Sequence, residues 1–495
     1  MFTTISNELY IMGHPLTYWE GHFGLPLHLI FAPKIRENLK AFKKVFKKKY
    51  PNSQVKFAAK ANPHHHILKI MKEEGIGIDA ASAFETRCAL DTGILPADID
   101  LNGNCKEDNL IRDAIRQGMM IVADSFEEFE LVAALGTSVG ITPKIILRIS
   151  GYELGDVTAA SIFTAGLWTK FGAPVEDVPE FIKGLERYPN VDFCGFHTHI
   201  GSQITDSAPY LAVLGKMIEM GRLLEDTGKE CRVINIGGGF PVSYIGKDTW
   251  KDFTSRVRNG LQLSQEGKPM DVYSWGNHPG GFEVDTKGKV SGSEWKGEKY
   301  YSALPKHKML EAILDGNVRV NGTQMPVIVA LEKIGTPTLV IEPGRSVVED
   351  AGVTLCKVAH TRTIAKYHNL ITVEMGVTSN CSSMIDPDIR NWEIVDDYND
   401  KDEEPYEAFI GGNLCFSGDM IERYKIKLQR KPKRGEVLVA HDTGAYTSSF
   451  MAANANATPR PARILVNENY EPLILKKRDT YEDVFSLGDN FSAIL

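Results

Sequence analysis

Excess basic charge is the first thing this chain lacks. It has 56 Lys and Arg against 64 Asp and Glu, a formal net charge of −8, so it offers no basic face to nucleic-acid phosphates. Long hydrophobic runs are missing too: no apolar stretch approaches the ~20 residues of a membrane-spanning helix. Neither nucleic acid nor membrane is therefore expected as a partner. Cysteine is scarce, seven residues in 495, and none has the paired spacing of a zinc or disulfide framework, which predicts free thiols in a reducing compartment. The adjacent His64, His65 and His66 point in different directions on a helix and have no partner cluster, so no metal is expected. The first eight residues have no signal-peptide pattern, and a cytoplasmic location is expected.

Internal repeats are absent, and what remains is the composition of an ordinary globular protein, 43% hydrophobic and 24% charged, long enough for two full cores. Short apolar runs at 55–59, 76–80, 119–123, 144–149, 191–196 and 232–236 alternate with helical-period stretches. Ile35-Leu39-Phe42-Val45-Phe46 and Phe126-Phe129-Leu131-Val132-Leu135 are two of them. This rhythm predicts parallel strands joined by helices. After Arg345 it gives way to short β-like runs at 355–361, 370–374, 426–428 and 436–440. The rhythm supports an α/β barrel over 29–345, and its change places a C-terminal β domain over 346–495. A long stretch at about 244–325, carrying Trp250, Trp275 and Trp295, reads as an insertion.

Six segments carry chemistry. Lys60 ends the run Phe57-Ala58-Ala59 and is followed by Ala61-Asn62-Pro63, which cannot extend a strand. Its amine therefore sits at a strand's C-terminal end, where α/β barrels keep their reactive groups, and a lysine there can form a Schiff base. His197-Thr198-His199-Ile200-Gly201-Ser202-Gln203 sets a flat imidazole and a hydroxyl beside a flexible glycine. Gly237-Gly238-Gly239 ends a strand with bare amides that can approach an anion. Glu342-Pro343-Gly344-Arg345 ends another with a carboxylate and a phosphate-binding fork. Cys415-Phe416-Ser417-Gly418-Asp419 and Gly444-Ala445-Tyr446 add a thiol and a phenol. An amine, an aromatic surface, a phosphate cradle and an anion facing a ring nitrogen form the set that pyridoxal 5′-phosphate requires.

In this order the motifs resemble the diaminopimelate/ornithine/arginine decarboxylase family, with diaminopimelate decarboxylases the nearest in pattern. The resemblance implies a pyridoxal-phosphate-binding (β/α)8 barrel of the alanine racemase-like kind plus a β-rich domain, which residues 1–28 join. It implies Lys60 as the aldimine lysine, His199 as the stacking ring and Glu342 as the partner of the pyridine nitrogen. Ser202, Gly238, Gly239, Arg345 and Tyr446 would hold the phosphate, with Asp79 and Arg148 supporting from behind. Cys415, as proton donor to the quinonoid carbon, comes from the partner subunit in this family, so a homodimer is expected. An acidic residue facing the ring nitrogen favours decarboxylation, since fold-related racemases place an arginine there.

The substrate pattern departs from the family. Diaminopimelate decarboxylases carry an acid directly after the cysteine, where this chain has Phe416. They also carry an Arg-Pro pair and a tyrosine in the segment that here reads 375–384. Phe416, Arg345 and Asp419 are the expected substrate contacts, and a dibasic amino acid without the distal carboxylate, such as D-lysine or D-ornithine, is the expected substrate. The alternative is meso-diaminopimelate, giving L-lysine; a racemase or lyase on the same fold and a non-catalytic regulatory relative stand further off.

Overall fold

The computed structural model describes the chain except residues 1, 6–7, 154–163, 267–272, 278–282, 285–289, 292–299, 381–388, 396–403, 448–453 and 486–495. Trp295 and the 381–384 end of the segment compared with the Arg-Pro motif lie outside the described residues. Two compact units are formed: Arg36–Val242 with Lys296–Val347, and Met1–Ile35 with Ser243–Trp295 and Val348–Leu495. The stretch read as an insertion is divided between them.

The first unit is a closed barrel of parallel strands: β1 Ser53–Ala58, β2 Gly77–Ala80, β3 Ile99–Leu101, β4 Met120–Ala123, β5 Lys144–Ser150, β6 Asp192–His197, β7 Val233–Asn235 and β8 Thr338–Ile341. Each pairs with the next, and β8 returns to β1 through Ile341 opposite Val55. β3 escapes the reading of apolar runs because Ile99-Asp100-Leu101 is three residues long with a charge at its centre. That charge is explained by its register. Asp100 and Lys56 of β1 are both buried and form an ion pair, so each neutralises a group that would otherwise be very unfavourable in the barrel.

The crossover helices start where the sequence supplies caps. Ser82 accepts the Glu85 N–H at 3.2 Å while Glu85 Oε2 accepts the Ala81 N–H at 2.7 Å, and Ser125 with Glu128 repeats the arrangement at 3.1 and 2.7 Å. Both are capping boxes, directly after β2 and β4, and they fix where those strand ends release the chain. The helices Asp108–Gln117 and Phe126–Val139 end at Gly118 and Gly140, at φ 74° and 69°, a left-handed cap that glycine adopts without strain.

The second unit is β-rich. Strand Leu27–Phe31 lies between Gly352–Ile364, antiparallel, and Ala462–Val466, parallel, with Leu27, Leu29, Phe31, Leu355 and Ile464 in one core. Strand His368–Val373 continues the sheet to Tyr406–Gly411 and Met420–Leu428 around a second core that includes Val358, Ile371, Val373 and Ile410. Helix Lys247–Gln265 belongs to this unit: Arg256 makes a two-pronged bond to Glu407 at 2.8 Å and lies 4.3 Å over the Tyr273 ring. Among the described residues no helix is long and apolar enough to cross a membrane.

Removing one partner of the barrel pair should be far worse than removing both. Lys56→Met leaves Asp100 buried and uncompensated and should cost about 3–5 kcal/mol, whereas Lys56→Met with Asp100→Leu should recover most of it. Denaturant midpoints of the two variants decide between the pair as a mutual neutraliser and as two independent contributors.

Candidate active site

A cavity of about 290 Å³ opens at the C-terminal ends of the barrel strands, and Lys60, Asp79, Arg148, His199 and Glu342 share its wall with Asn102, Cys105 and Phe171. Lys60 stands on the short helical turn Ala59–Ala61 that follows β1, with its neighbours Ala59 and Ala61 buried. The turn therefore anchors the backbone while the side chain is exposed.

Glu342 follows β8 and is buried. Its Oε1 accepts from Asn235 Nδ2 at 2.6 Å, and Oε2 lies 3.2 Å from His197 Nε2. Burial raises its carboxyl above the ordinary value, while the Asn235 bond and the cations of Lys60 and Arg148 oppose that. His197 is held neutral, its pKa pushed down to about 3 by burial and next by Arg148. A neutral ring has one N–H, and Glu342 is the acceptor that takes it at Nε2. Asn235 is oriented in turn, because its Oδ1 accepts the Gly237 N–H at 2.9 Å. His197 opens a motif named above and Asn235 lies in the apolar run 232–236, but neither was given a role. Their signal was a polar residue in an otherwise apolar barrel strand.

His199 is fixed by the Gly238 N–H, which donates to its Nδ1 at 3.0 Å. Burial first, then Lys60, Arg148 and His197, lower its pKa well below the ordinary range, so it presents an uncharged flat ring. The glycine triplet has a reason beyond anion binding. A Cβ on Gly237 would lie 2.5 Å from the Thr198 carbonyl oxygen, and one on Gly238 2.4 Å from that of Glu342. Gly238 thus serves ring positioning here, whatever else its turn holds. Ser202 follows β6 in a loop braced by Gln203, whose amide exchanges bonds with the Val242 backbone at 2.6 and 3.0 Å. Arg345 opens the short helix Arg345–Val348 after β8.

Arg148 is buried, 3.1 Å from Asp124 and 4.3 Å over the Phe171 ring. Asp79 is also buried, and its Oδ1 has no hydrogen-bond partner among the described residues. Burial, then Glu342, raise its pKa to about 7, against the pull of Lys60 and His197. An acceptor of this kind at the wall of a cavity with an amine, a neutral ring and an anchored carboxylate fits a cationic heteroaromatic aldehyde phosphate.

The remaining expected residues belong to the β-rich unit. Cys415 and Phe416 are exposed on the loop between strands Tyr406–Gly411 and Met420–Leu428. Asp419 is buried, and its two oxygens accept the N–H groups of Val377 and Leu414, each at 2.6 Å, so it braces that loop. Tyr446 is half-buried with φ 55°.

Residues 33–272 match the family described as "Pyridoxal-dependent decarboxylase, pyridoxal binding domain". The chain is 27% identical to the diaminopimelate decarboxylase of Methanothermobacter thermautotrophicus over 99% of its own length and 97% of that protein. Its fold superposes on the crystal structure of the M. jannaschi diaminopimelate decarboxylase with a TM-score of 0.77 at 24% identity, covering 98% and 97% of the two chains. It superposes on the lysine/ornithine decarboxylase of Vibrio vulnificus, solved with putrescine, with a TM-score of 0.65 at 20% identity over 92% and 98%. Barrel, cavity and relatives together define a pyridoxal-phosphate-dependent carboxy-lyase. Residues 33–272 match the pyridoxal-binding domain of the pyridoxal-dependent decarboxylases, and the chain is similar to the diaminopimelate enzymes along nearly its whole length.

The raised Asp79 carboxyl has a measurable consequence. The ionised form is disfavoured in the folded protein, while the unfolded chain ionises near the ordinary 3.8. Between about pH 4 and 7 the folded state binds more protons, so stability falls as pH rises through that window, by on the order of a few kcal/mol. Asp79→Asn should remove this fall in the cofactor-free protein, as thermal midpoints at pH 5 and pH 8 will show.

Proposed function

We propose that the chain releases carbon dioxide from meso-diaminopimelate, forming L-lysine. The observation that carries this reading is a likeness to proteins named diaminopimelate decarboxylase extending over nearly the whole chain, together with a buried, hydrogen-bonded carboxylate at Glu342. Pyridoxal phosphate, bound through Lys60, supplies the sink for the electron pair left by the departing carboxylate. The residues of the chain do the rest. His199 offers a neutral face for a flat ring. Glu342, held on both oxygens, offers an acceptor for a ring N–H, which keeps the proton where it draws electrons. Ser202, the turn of Gly238 and Gly239, Arg345 and Tyr446 would hold the phosphate. Cys415 would return a proton to the carbon that has lost its carboxylate, and Arg345 and Asp419 complete the proposed substrate side. We further propose a cytoplasmic homodimer in which Cys415 is supplied by the second subunit.

A second reading has one observation in its favour. Phe416 is 47% exposed directly after Cys415, and a phenyl group gives a distal ammonium or carboxylate no partner. A dibasic amino acid without the distal carboxylate, D-lysine or D-ornithine, is the substrate that this supports.

Two measurements test these assignments. Borohydride reduction should fix the cofactor to Lys60 and to no other lysine, and Lys60→Ala should lose both the fixed label and essentially all carbon dioxide release; label on another peptide would refute the assignment. Carbon dioxide release across meso-diaminopimelate, D- and L-lysine and D- and L-ornithine decides the substrate. Under the first reading meso-diaminopimelate has the highest kcat/KM. If a D-configured dibasic amino acid exceeds it, and Phe416→Glu shifts the ratio about tenfold or more towards meso-diaminopimelate, the second reading stands instead.

A further inference from the structure

The β-rich unit buries a charge cluster that the chemistry above does not use. Glu349 and Arg390 are both fully buried, with Arg390 Nη2 3.9 Å from Glu349 Oε1. Tyr244 donates its hydroxyl to the same oxygen at 2.7 Å, and Glu349 Oε2 accepts the Ala445 N–H at 2.9 Å. The Glu349 carbonyl accepts the Gly444 N–H at 3.0 Å. From the other side, Arg390 Nε donates to the Asp442 carbonyl at 3.1 Å. Its neighbour Asn391 accepts the His441 N–H at 3.0 Å and donates to the Tyr244 carbonyl at 3.3 Å.

All these bonds converge on one loop, residues 441–446, or on the groups that grip it. The loop needs gripping. Asp442 and Tyr446 have φ of 56° and 55°, conformations that non-glycine residues keep only where the surroundings over-determine them. Gly444 passes so close that a Cβ would fall 1.8 Å from the Val348 carbonyl oxygen. A buried carboxylate and guanidinium are unfavourable unless both are well used, and here each is used on the segment that ends in Tyr446.

We propose that Glu349 and Arg390, bridged by Tyr244, are positioning residues that set the phenol of Tyr446 for the cofactor phosphate. This rests on the reading of Tyr446 as a phosphate residue. The cluster fixes the backbone on both sides of Gly444, up to the residue before Tyr446, which lowers the ordering cost of presenting the phenol to an anion.

The test is a spectrophotometric titration of the cofactor-free full chain with pyridoxal phosphate, with a thermal melt of every variant. Glu349→Gln, Tyr244→Phe and Tyr446→Phe should each remain folded and weaken cofactor binding about fivefold or more. Glu349→Gln added to Tyr446→Phe should weaken it little further, because the two act through one contact. Equal loss from Glu349→Gln in the wild-type and Tyr446→Phe backgrounds would overturn the inference, since the cluster would then act independently of Tyr446. If Tyr446→Phe weakens binding while Glu349→Gln and Tyr244→Phe bind as the wild type does, only the positioning role fails. If Tyr446→Phe binds normally, the phosphate reading fails and the inference with it. Should Glu349→Gln not fold, Tyr244→Phe, which removes a single hydroxyl, is combined with Tyr446→Phe and read in the same way.

Discussion

Everything at the cavity depends on keeping a carboxylate charged inside a barrel. Glu342 is 3% exposed, and burial alone pushes it towards the neutral acid. Two donors resist that, Asn235 Nδ2 and His197 Nε2, and both come from strand ends that neighbour β8 or lie one strand beyond. The amide is set by the Gly237 N–H, so its donor face is not free to flip. The imidazole is kept neutral by burial and Arg148, so it can give Glu342 a hydrogen bond without neutralising it. A charged histidine there would pull the carboxylate's electrons away from any ring nitrogen brought to it.

The same interior has to balance its charge. Lys56 pairs with Asp100 and Arg148 with Asp124, which leaves the Lys60 amine facing Glu342 and Asp79. Lys60 pulls both carboxyls down, but burial outweighs it at each. Asp79 shows this, as a carboxyl raised to about 7 by burial and by Glu342. A carboxyl so placed takes up or releases a proton with little change in free energy near neutral pH. Arrival of a positively charged ring or ammonium favours the ionised form.

Much of this was legible in the sequence because it rests on local rules. Apolar runs alternating with helical periods pointed to parallel strands joined by helices, and Lys60, His199 and Glu342 stood out by their places at strand ends, while their roles rest on the family resemblance. β3 was not, since three residues with a central aspartate carry no apolar period; only the distant Lys56 explains that aspartate. His197 opened a motif and Asn235 lay in an apolar run, yet their task depends on which strand lies beside which, and a chain read in order does not contain that. Arg390 was missed for the same reason. It sits beyond the segment searched for an arginine, and its partners are 41 and 52 positions away in sequence.

The glycine triplet and the loop around Asp419 show why substrate choice is harder to read than chemistry. At 237–239 the missing side chains are demanded by the Thr198 and Glu342 carbonyls, so the motif is fixed by packing whatever the substrate. Asp419 is likewise held by two backbone N–H groups, and an aspartate at that place shapes a loop before it touches anything. Phe416 is less constrained: one part of its ring lies against Gly418, where a Cβ would come within 2.6 Å of it, and the rest of the side chain is exposed. Phe416 therefore differs from the fixed residues around it: it is exposed on its loop, while Asp419 and the glycine triplet are held by backbone groups.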